Sequence, residues 1–147
     1  MIRVYLDSNV FLYAIGAEHD YREPCRALVR AAGERRLRGE TGVEALQEVV
    51  HHRRRRGDPH ATDRAREILC ICSAIHPLGA GDLRAALDLV DRHPELPTRD
   101  ALHAATALTQ GLTTVVSADT DFDAIGELRR IDPLDHAATA EVLGLDD

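Results

Sequence analysis

The sequence contains no lysine and no tryptophan, and only 3% of its residues are aromatic. Without lysine, the chain lacks the ammonium group on which P-loop nucleotide sites and Schiff-base enzymes depend. The scarcity of aromatic rings leaves few surfaces on which nucleic-acid bases could stack. These absences exclude two mechanistic classes and direct attention to the acidic residues.

Cysteines and long hydrophobic runs are also scarce. The three cysteines, Cys25, Cys70 and Cys72, are odd in number and do not form a disulfide framework. Cys70 and Cys72 point apart on a helix and have no set of partners for zinc, so we expect buried thiols. No apolar run reaches the roughly 20 residues of a membrane span, and the residues before Asp7 do not resemble a signal peptide. We therefore expect a cytoplasmic protein without membrane contact.

The length and charge set further bounds. A chain of 147 residues predicts one domain, residues 1–147, with a substantial core. Its formal net charge of −7 argues against nonspecific nucleic-acid binding through overall charge. A local basic patch is still compatible with such binding.

The first candidate site residue follows the first predicted strand. Residues 4–6 form a short apolar run that ends at Asp7, and Asn9 is expected to cap the short helix that comes next. Ligands of open α/β sheets bind beyond the carboxyl ends of the strands. Asp7 is therefore a candidate for chemistry.

A helix predicted over residues 41–56 carries two acids on neighbouring turns. Thr41 and Glu44 match the S/T-x-x-E capping box, which gives Glu44 a structural role. Glu48 lies one turn further on and has no such role. It is either an exposed acid paired with a neighbouring base or a member of the site.

Further helices are predicted over residues 59–75 and 82–92, the second with Leu83 and Leu87 facing the core. Thr98 is expected to cap a later helix, which places Asp100 in its first turn. An acid at a helix N-terminus is favourable by itself, and this is the alternative interpretation of Asp100.

Three carboxylates follow the last strongly predicted strand, residues 113–117. Asp119, Asp121 and Asp123 alternate along the chain, and carboxylates this close repel one another unless a cation or an arginine compensates. A helix N-terminus and the carboxyl end of the next parallel strand share one sheet edge, so Asp100 should meet these residues. Such a cluster of hard oxygen ligands favours Mg²⁺ or Mn²⁺, which activate water and phosphate oxygens.

Four stretches together resemble one known family. The segments LDSN, LQEVVHHR, RDALHAATAL and VVSADTDFDAI are similar, in order and spacing, to PIN-domain ribonucleases, specifically the VapC-type toxins of bacterial toxin–antitoxin pairs. The resemblance covers nearly the whole chain. It implies an α/β fold, a three-layer α/β/α sandwich with a short, mainly parallel sheet, and RNA cleavage that depends on Mg²⁺ or Mn²⁺.

The resemblance also implies roles for individual residues. The catalytic acids are Asp7, Glu48, Asp100 and Asp119. Glu48 is preferred over Glu44 because it matches the family position and Glu44 has its cap. Asp119 is preferred over Asp121 as the fourth acid, with Asp121 contributing through water, so the expected metal ligands are Asp7, Asp100, Asp119 and Asp121. Asn9 and Ser117 match polar supporting positions, and Asp123 is left as a surface or structural acid.

Basic residues and a histidine lie near these motifs. Four consecutive arginines, Arg53, Arg54, Arg55 and Arg56, are candidate contacts for RNA or a partner, although cations also stabilise a helix C-terminus. Four adjacent arginines fan around a helix and cannot all face one ligand. His103 lies one turn from Asp100 and has either a packing or partner role or a place near the site.

The leading hypothesis is a metal-dependent endoribonuclease that acts as the toxin of a toxin–antitoxin pair. The resemblance implies a homodimer, an RNA substrate and a cognate antitoxin protein as partners. The alternative is a non-catalytic RNA- or protein-binding module on the same fold. A phosphohydrolase with Asp7 as nucleophile is disfavoured, because its usual DxD motif would need an aspartate in place of Asn9 and it normally uses a lysine.

Overall fold

A five-stranded parallel sheet forms the centre of the computed structural model, which describes residues 1–145. The strands are β1 (Arg3–Leu6), β2 (Arg38–Gly42), β3 (Ala74–His76), β4 (Thr114–Val116) and β5 (Arg129–Ile131). They lie in the order β3-β2-β1-β4-β5, and every neighbouring pair is parallel. The first strand of the chain is therefore the central one, and Asp7 follows its carboxyl end.

Helices cover both faces of this sheet. They are α1 (Ser8–Ile15), α2 (Arg22–Gly33), α3 (Val43–Arg55), α4 (Ala61–Ile71), α5 (Ala80–Arg92), α6 (Thr98–Thr109) and α7 (His136–Leu143), with a 3-10 helix at Thr120–Ala124. The predicted α/β sandwich with a parallel sheet is confirmed. Among residues 1–145, no helix has the length and hydrophobicity needed to cross a membrane.

The two faces have separate hydrophobic cores because side chains alternate along β1. Val4 and Leu6 pack with α1 to α4 and α7, whereas Tyr5 packs with α5 and α6. All three residues are fully buried. The site at the end of β1 thus receives side chains from both layers.

Some predicted boundaries were wrong. The helix expected over residues 59–75 ends at Ile71, and Ala74 and Ile75 belong instead to β3, which pairs with β2. On α5, Leu83 and Leu87 are 45% and 49% exposed, while Leu89 is buried in their place. Strand pairing and the orientation of α5 therefore overrode the local helical pattern.

Candidate active site

Asp7 is held at the end of β1 by three hydrogen bonds. Its Oδ1 accepts from the backbone N–H of Ser8 at 2.8 Å, which makes Asp7 the N-cap of α1. Its Oδ2 accepts from Oγ of Ser117 at 2.7 Å and from Nδ2 of Asn9 at 3.1 Å. The prediction that Asn9 caps α1 was wrong, because the preceding aspartate occupies that position. The Asn9 amide instead bridges Asp7 and Ser117, which lies 3.0 Å from Nδ2.

Glu48 enters the site from the second turn of α3. Its Oε2 accepts from the Ser8 hydroxyl at 2.6 Å, and its Oε1 accepts from Nε2 of His103 at 2.9 Å. The guanidinium of Arg99 lies 3.5 Å from the same Oε1. These three contacts fix the Glu48 carboxylate beside Asp7.

The capping box predicted for Thr41 and Glu44 was wrong. Thr41 belongs to β2, where its hydroxyl donates to the carbonyl of Leu6 at 2.7 Å, and α3 begins only at Val43. Glu44 lines the same cleft as Glu48. Within the described part of the chain, however, only Glu48 of the two hydrogen-bonds to groups next to Asp7.

Asp100, Asp119 and Asp121 form a second group of carboxylates. Each offers one oxygen that lies within 4.8 Å of those of the other two. Asp100 comes from the first turn of α6. The prediction that Thr98 caps this helix was wrong, because Thr98 is its first residue and Pro97 occupies the N-cap position without a side-chain cap. Asp119 follows β4 and caps the 3-10 helix, since its Oδ1 accepts from the Asp121 N–H at 2.9 Å.

One cleft of about 640 Å³ connects most of these acids. Its lining includes four predicted catalytic residues, namely Asp7, Glu48, Asp100 and Asp119. Asp121 is exposed at the side of Asp119 and does not line the cleft. Asp123 forms a bidentate ion pair with Arg130, at 2.8 and 3.2 Å, and so lies outside the site.

Burial and mutual repulsion change the acidity of these groups. Burial, followed by the hydrogen bond and charge of Asp119, raises the pKa of Asp100 to about 8. Burial likewise raises the pKa of Asp7. Burial alone would also raise the pKa of Glu48, but the hydrogen bond and positive charge of His103 outweigh it and hold that pKa below its usual value. Glu48 is therefore the acid whose ionised form the protein itself stabilises.

The aspartate group lacks a compensating charge from the protein. By comparison, the buried carboxylate of Glu40 in β2 is paired with Arg3 at 2.7 Å and with His76 at 2.9 Å. Across residues 1–145, no arginine or histidine forms an ion pair with Asp100, Asp119 or Asp121. Oxygen donors without a protein counter-charge fit a hard divalent cation such as Mg²⁺ or Mn²⁺.

The four arginines of the predicted basic run lie in different surroundings. Arg53 is paired with Asp58, whose Oδ2 lies 2.8 Å from Nε. Arg54 and Arg55 both line a separate surface cavity, and Arg55 also lines the acidic cleft together with Arg56. The structure thus places two of the four arginines beside the candidate site.

Two residues that contact Glu48, Ser8 and Arg99, were not identified from the sequence. His103 was left between a packing or partner role and a place near the site, and the structure shows the second. The position of His103 one turn after Asp100 was the available signal, because residues three apart share a helix face. Its contact with Glu48 spans 55 residues of sequence and is not visible in any local pattern.

Comparison with known proteins places this arrangement in a family. The PIN domain model matches residues 4–128. Ribonuclease VapC7 of Mycobacterium tuberculosis is 37% identical over 143 residues, which covers 96% of this chain and 98% of VapC7. Ribonuclease VapC23 of the same species is 34% identical over 116 residues, covering 79% of this chain and 92% of VapC23.

Solved structures share the fold at lower sequence identity. FitAcB from Neisseria gonorrhoeae has a TM-score of 0.70 and 18% identity, covering 90% of this chain and 99% of that one. VapC20 of M. tuberculosis, described as a toxin that cleaves the sarcin–ricin loop, has a TM-score of 0.69 and 19% identity, with coverage of 84% and 95%. From the family match and the curated relatives, the chain belongs to the PIN-domain family and, within it, to the VapC ribonucleases.

Proposed function

We propose that this chain is an endoribonuclease that acts as the toxin of a toxin–antitoxin pair and hydrolyses RNA with Mg²⁺ or Mn²⁺. The observation that carries the proposal is the convergence of Asp7, Glu48, Asp100 and Asp119 on one cleft without a full complement of protein counter-charges. The family match and the names of the curated relatives support the RNA-hydrolysing activity.

The proposed ligands of the cation are the aspartates. Asp7, Asp100 and Asp119 would hold it, with Asp121 contributing from the edge of the group. A bound divalent cation supplies Lewis acidity toward phosphate oxygens and water. Oxygen-only ligands of this kind match the preference of Mg²⁺ and Mn²⁺.

The remaining residues prepare these carboxylates for the reaction. Ser117 and Asn9 hold Asp7 in one orientation through its Oδ2. Glu48 stays ionised beside His103, so its carboxylate oxygens are able to accept a proton from the attacking water. We propose that Glu48 is the proton acceptor and that Ser8 and His103 fix its position.

The basic rim of the cleft is proposed to bind the RNA backbone. Arg55, Arg56 and Arg99 line the cleft together with the acids. Phosphate contacts by arginine provide affinity that does not depend on sequence and that weakens as salt rises. Arg53 is tied to Asp58 and is left out of this role.

Cleavage of total cellular RNA by the purified chain tests the proposal. We expect products with Mg²⁺ or Mn²⁺ and none after chelation with EDTA. Asp7→Asn should lower the rate by at least about 10²–10³-fold, the usual effect of removing a key electrostatic group. Sequencing the cleavage ends would also identify the target.

Asp123→Asn is the matched control, because Asp123 is an acid of the same segment that pairs with Arg130 outside the cleft. It should cleave at the wild-type rate. Equal activity of wild type and Asp7→Asn would overturn the proposed site. Tight RNA binding without cleavage under every metal tested would favour the non-catalytic alternative instead.

The proposed partners are an antitoxin and a second copy of the chain. Similar folds include a toxin–antitoxin complex from Klebsiella pneumoniae and the VapBC-1 structure of Haemophilus influenzae, which supports an antitoxin partner. We propose that residues 1–147 act as one domain in the cytoplasm and assemble as a homodimer. Light scattering of the purified chain, alone and co-expressed with the product of an adjacent short reading frame, would test both partners.

A further inference from the structure

A second cavity, of about 380 Å³, adjoins the acidic cleft. Four residues line both spaces, namely Asn9, Leu12, His52 and Arg56. The second cavity extends from them to the C-terminal end of α1 and the segment that follows it. The two spaces therefore form one continuous surface, with the acids at one end.

Three aromatic rings stand at the far end of this surface. The ring of Tyr13 lies 4.8 Å from that of His19 and 4.9 Å from that of Tyr21, with interplanar angles of 28° and 19°. The rings of His19 and Tyr21 are 5.8 Å apart at 25°. These are stacked arrangements, and Tyr13 and His19 both line the second cavity.

The location of these rings is notable because the chain has so few. Of its two phenylalanines and three tyrosines, Tyr5, Phe11 and Phe122 are fully buried in the two cores. Tyr13 and Tyr21 are the other two, and both stand in this cluster. Tyr13 and Tyr21 are only partly buried and pack against the edge of one core, where they stand with the exposed ring of His19 beside the cleft.

Hydrogen bonds hold the cluster in place. The hydroxyl of Tyr21 donates to Oδ2 of Asp132 at 2.9 Å, and its backbone N–H donates to Nδ1 of His19 at 3.2 Å. The backbone of Tyr21 thus orients the His19 ring, and the Tyr13 ring stacks against the rings of both His19 and Tyr21. A platform that is ordered in advance loses less entropy when a ligand binds.

Charge along the surface suits a nucleic-acid strand. Arg56 lies at the junction of the two cavities and, within residues 1–145, forms no ion pair. Tyr13 is one helical turn from Asn9 on α1, a rise of about 6 Å, so the rings lie close to the acids. An unpaired cation between acids and rings can contact the phosphate that joins two nucleotides.

We infer that Tyr13 and His19, backed by Tyr21, form a stacking site for a nucleobase next to the scissile phosphodiester. This inference rests on the proposed function. RNA bound with one phosphate at the acids places a neighbouring base on the rings, and Arg56 contacts the backbone between them. Stacking of this kind is tolerant of base identity, because every base has a π face.

Equilibrium binding of short oligouridylates, followed by fluorescence anisotropy, tests the inference. The protein is the Asp7→Asn chain with Mg²⁺ present, so that binding is measured without cleavage. Each RNA carries one abasic nucleotide at a different position. The RNA whose abasic nucleotide falls at the rings should bind the protein roughly 5- to 150-fold more weakly than intact RNA, the range for loss of a single base–aromatic stack. The RNAs with the abasic nucleotide elsewhere should not show this loss.

The protein variant that removes the rings combines Tyr13→Leu with His19→Ala in the same background. Leucine keeps the apolar contacts that Tyr13 makes with the core, and His19 is exposed, so the fold should persist, as thermal unfolding will verify. This variant should bind the intact RNA as weakly as the parent binds the sensitive abasic RNA. In this variant, the abasic substitution should cause no further loss of RNA affinity. Tyr13→Phe retains the ring and should keep the full sensitivity.

Several outcomes would overturn the inference. Equal binding of intact and abasic RNAs at every position excludes a base site. An equal loss of affinity for all of the RNAs in the ring variant means that the rings act on the protein fold or on the RNA backbone. Unchanged RNA binding together with weaker binding of a co-expressed antitoxin would identify the surface as a protein contact. The proposed function predicts that the wild-type chain cleaves RNA whether or not the rings bind a base. A wild-type chain that does not cleave RNA therefore contradicts the proposed function, whereas cleavage together with one of the results above contradicts only the stacking site.

Discussion

Nε2 of His103 lies 2.9 Å from Oε1 of Glu48 and 4.0 Å from Oδ1 of Asp7. Because a carboxylate only accepts hydrogen bonds, Nε2 carries a proton, and the other ring nitrogen shares a 2.8 Å hydrogen bond with the Tyr5 hydroxyl. His103 and Tyr5 are both fully buried. The orientation of Glu48 is therefore set by a histidine anchored in the core behind β1.

Replacing His103 should affect both stability and activity. His103→Leu leaves the Tyr5 hydroxyl without its partner, and we expect the free energy of unfolding to fall by about 1–3 kcal/mol. Loss of the contact to Glu48 should lower kcat by about 10–100-fold, as is usual for residues that orient active-site groups. Urea denaturation and cleavage assays measure the two effects.

His103→Gln separates these effects. The glutamine amide is able to donate to Glu48 from a position near that of Nε2, so kcat should recover while the stability loss remains. Tyr5→Phe removes only the outer hydrogen bond and should keep most of the activity. If the leucine and glutamine variants are equally slow, His103 does not act by positioning Glu48.

The acidity of Asp100 predicts how stability depends on pH. Its pKa is raised to about 8 in the folded chain, whereas an aspartate in the unfolded chain titrates near 3.8. Between these values the folded, metal-free protein holds a proton that the unfolded chain has lost, so its contribution to stability falls as pH rises from about 4 to about 8. Thermal unfolding of EDTA-treated wild type and Asp100→Asn across this range should show a difference that changes with pH.

Metal binding should reverse this trend, because a divalent cation displaces the proton from the carboxylate. The increase in Tm caused by Mg²⁺ or Mn²⁺ should therefore grow from about pH 5 to about pH 8. Asp100→Asn should show a smaller increase at every pH. A metal-induced shift of the same size at both ends of the range would contradict the assignment of Asp100 as a ligand.

Two arginines of the basic run should behave differently when replaced by alanine. Arg53→Ala leaves the carboxylate of Asp58 with Arg64 as its one remaining ion-pair partner among residues 1–145, and we expect the free energy of unfolding to fall. Its RNA binding should keep the wild-type salt dependence. Arg56→Ala should leave stability unchanged and reduce the slope of log K against log salt by about 1. A lower slope in Arg53→Ala alone would reverse these assignments.

Two glycines provide a matched pair for packing. A Cβ on Gly39 of β2 would lie 2.8 Å from Cδ1 of Leu6 and 2.9 Å from Cβ of Ala32, so Gly39→Ala should destabilise the protein by about 1–3 kcal/mol. A Cβ on Gly81 of α5 would meet nothing within 4 Å, and Gly81→Ala should stabilise it by about 0.4–1 kcal/mol. Urea denaturation of both variants measures the difference. Equal free energies of unfolding for Gly39→Ala and the wild type would show that β2 relaxes around the added methyl group.

The sequence predicted the architecture because the rules behind it are general. The carboxyl ends of parallel strands and the N-termini of the helices that precede them meet at one edge, and this placed Asp7, Asp100 and Asp119 together correctly. Burial of the short apolar runs made β1 and β4 recognisable. These inferences use only local hydrophobicity and the handedness of the fold.

The errors came from local motifs that long-range contacts override. Thr41 and Glu44 fit a capping box, yet Thr41 pairs in β2 with Ile75 of β3, a partner that the local sequence does not indicate. The proximity of Tyr13 and Tyr21 is likewise not visible in the composition or in any local pattern. Where tertiary pairing decides the outcome, a short motif carries little information.

The central position of β1 has a consequence for synthesis. Ser117, which hydrogen-bonds to Asp7, is made 110 residues after it. β1 cannot pair with β4, and Asp7 cannot meet the acids of α6 and the 3-10 helix, until residues 98–124 have also been made. A growing chain that ends before α6 thus carries Asp7 and Glu48 without the cleft, and the nuclease becomes competent only after that later segment has been added.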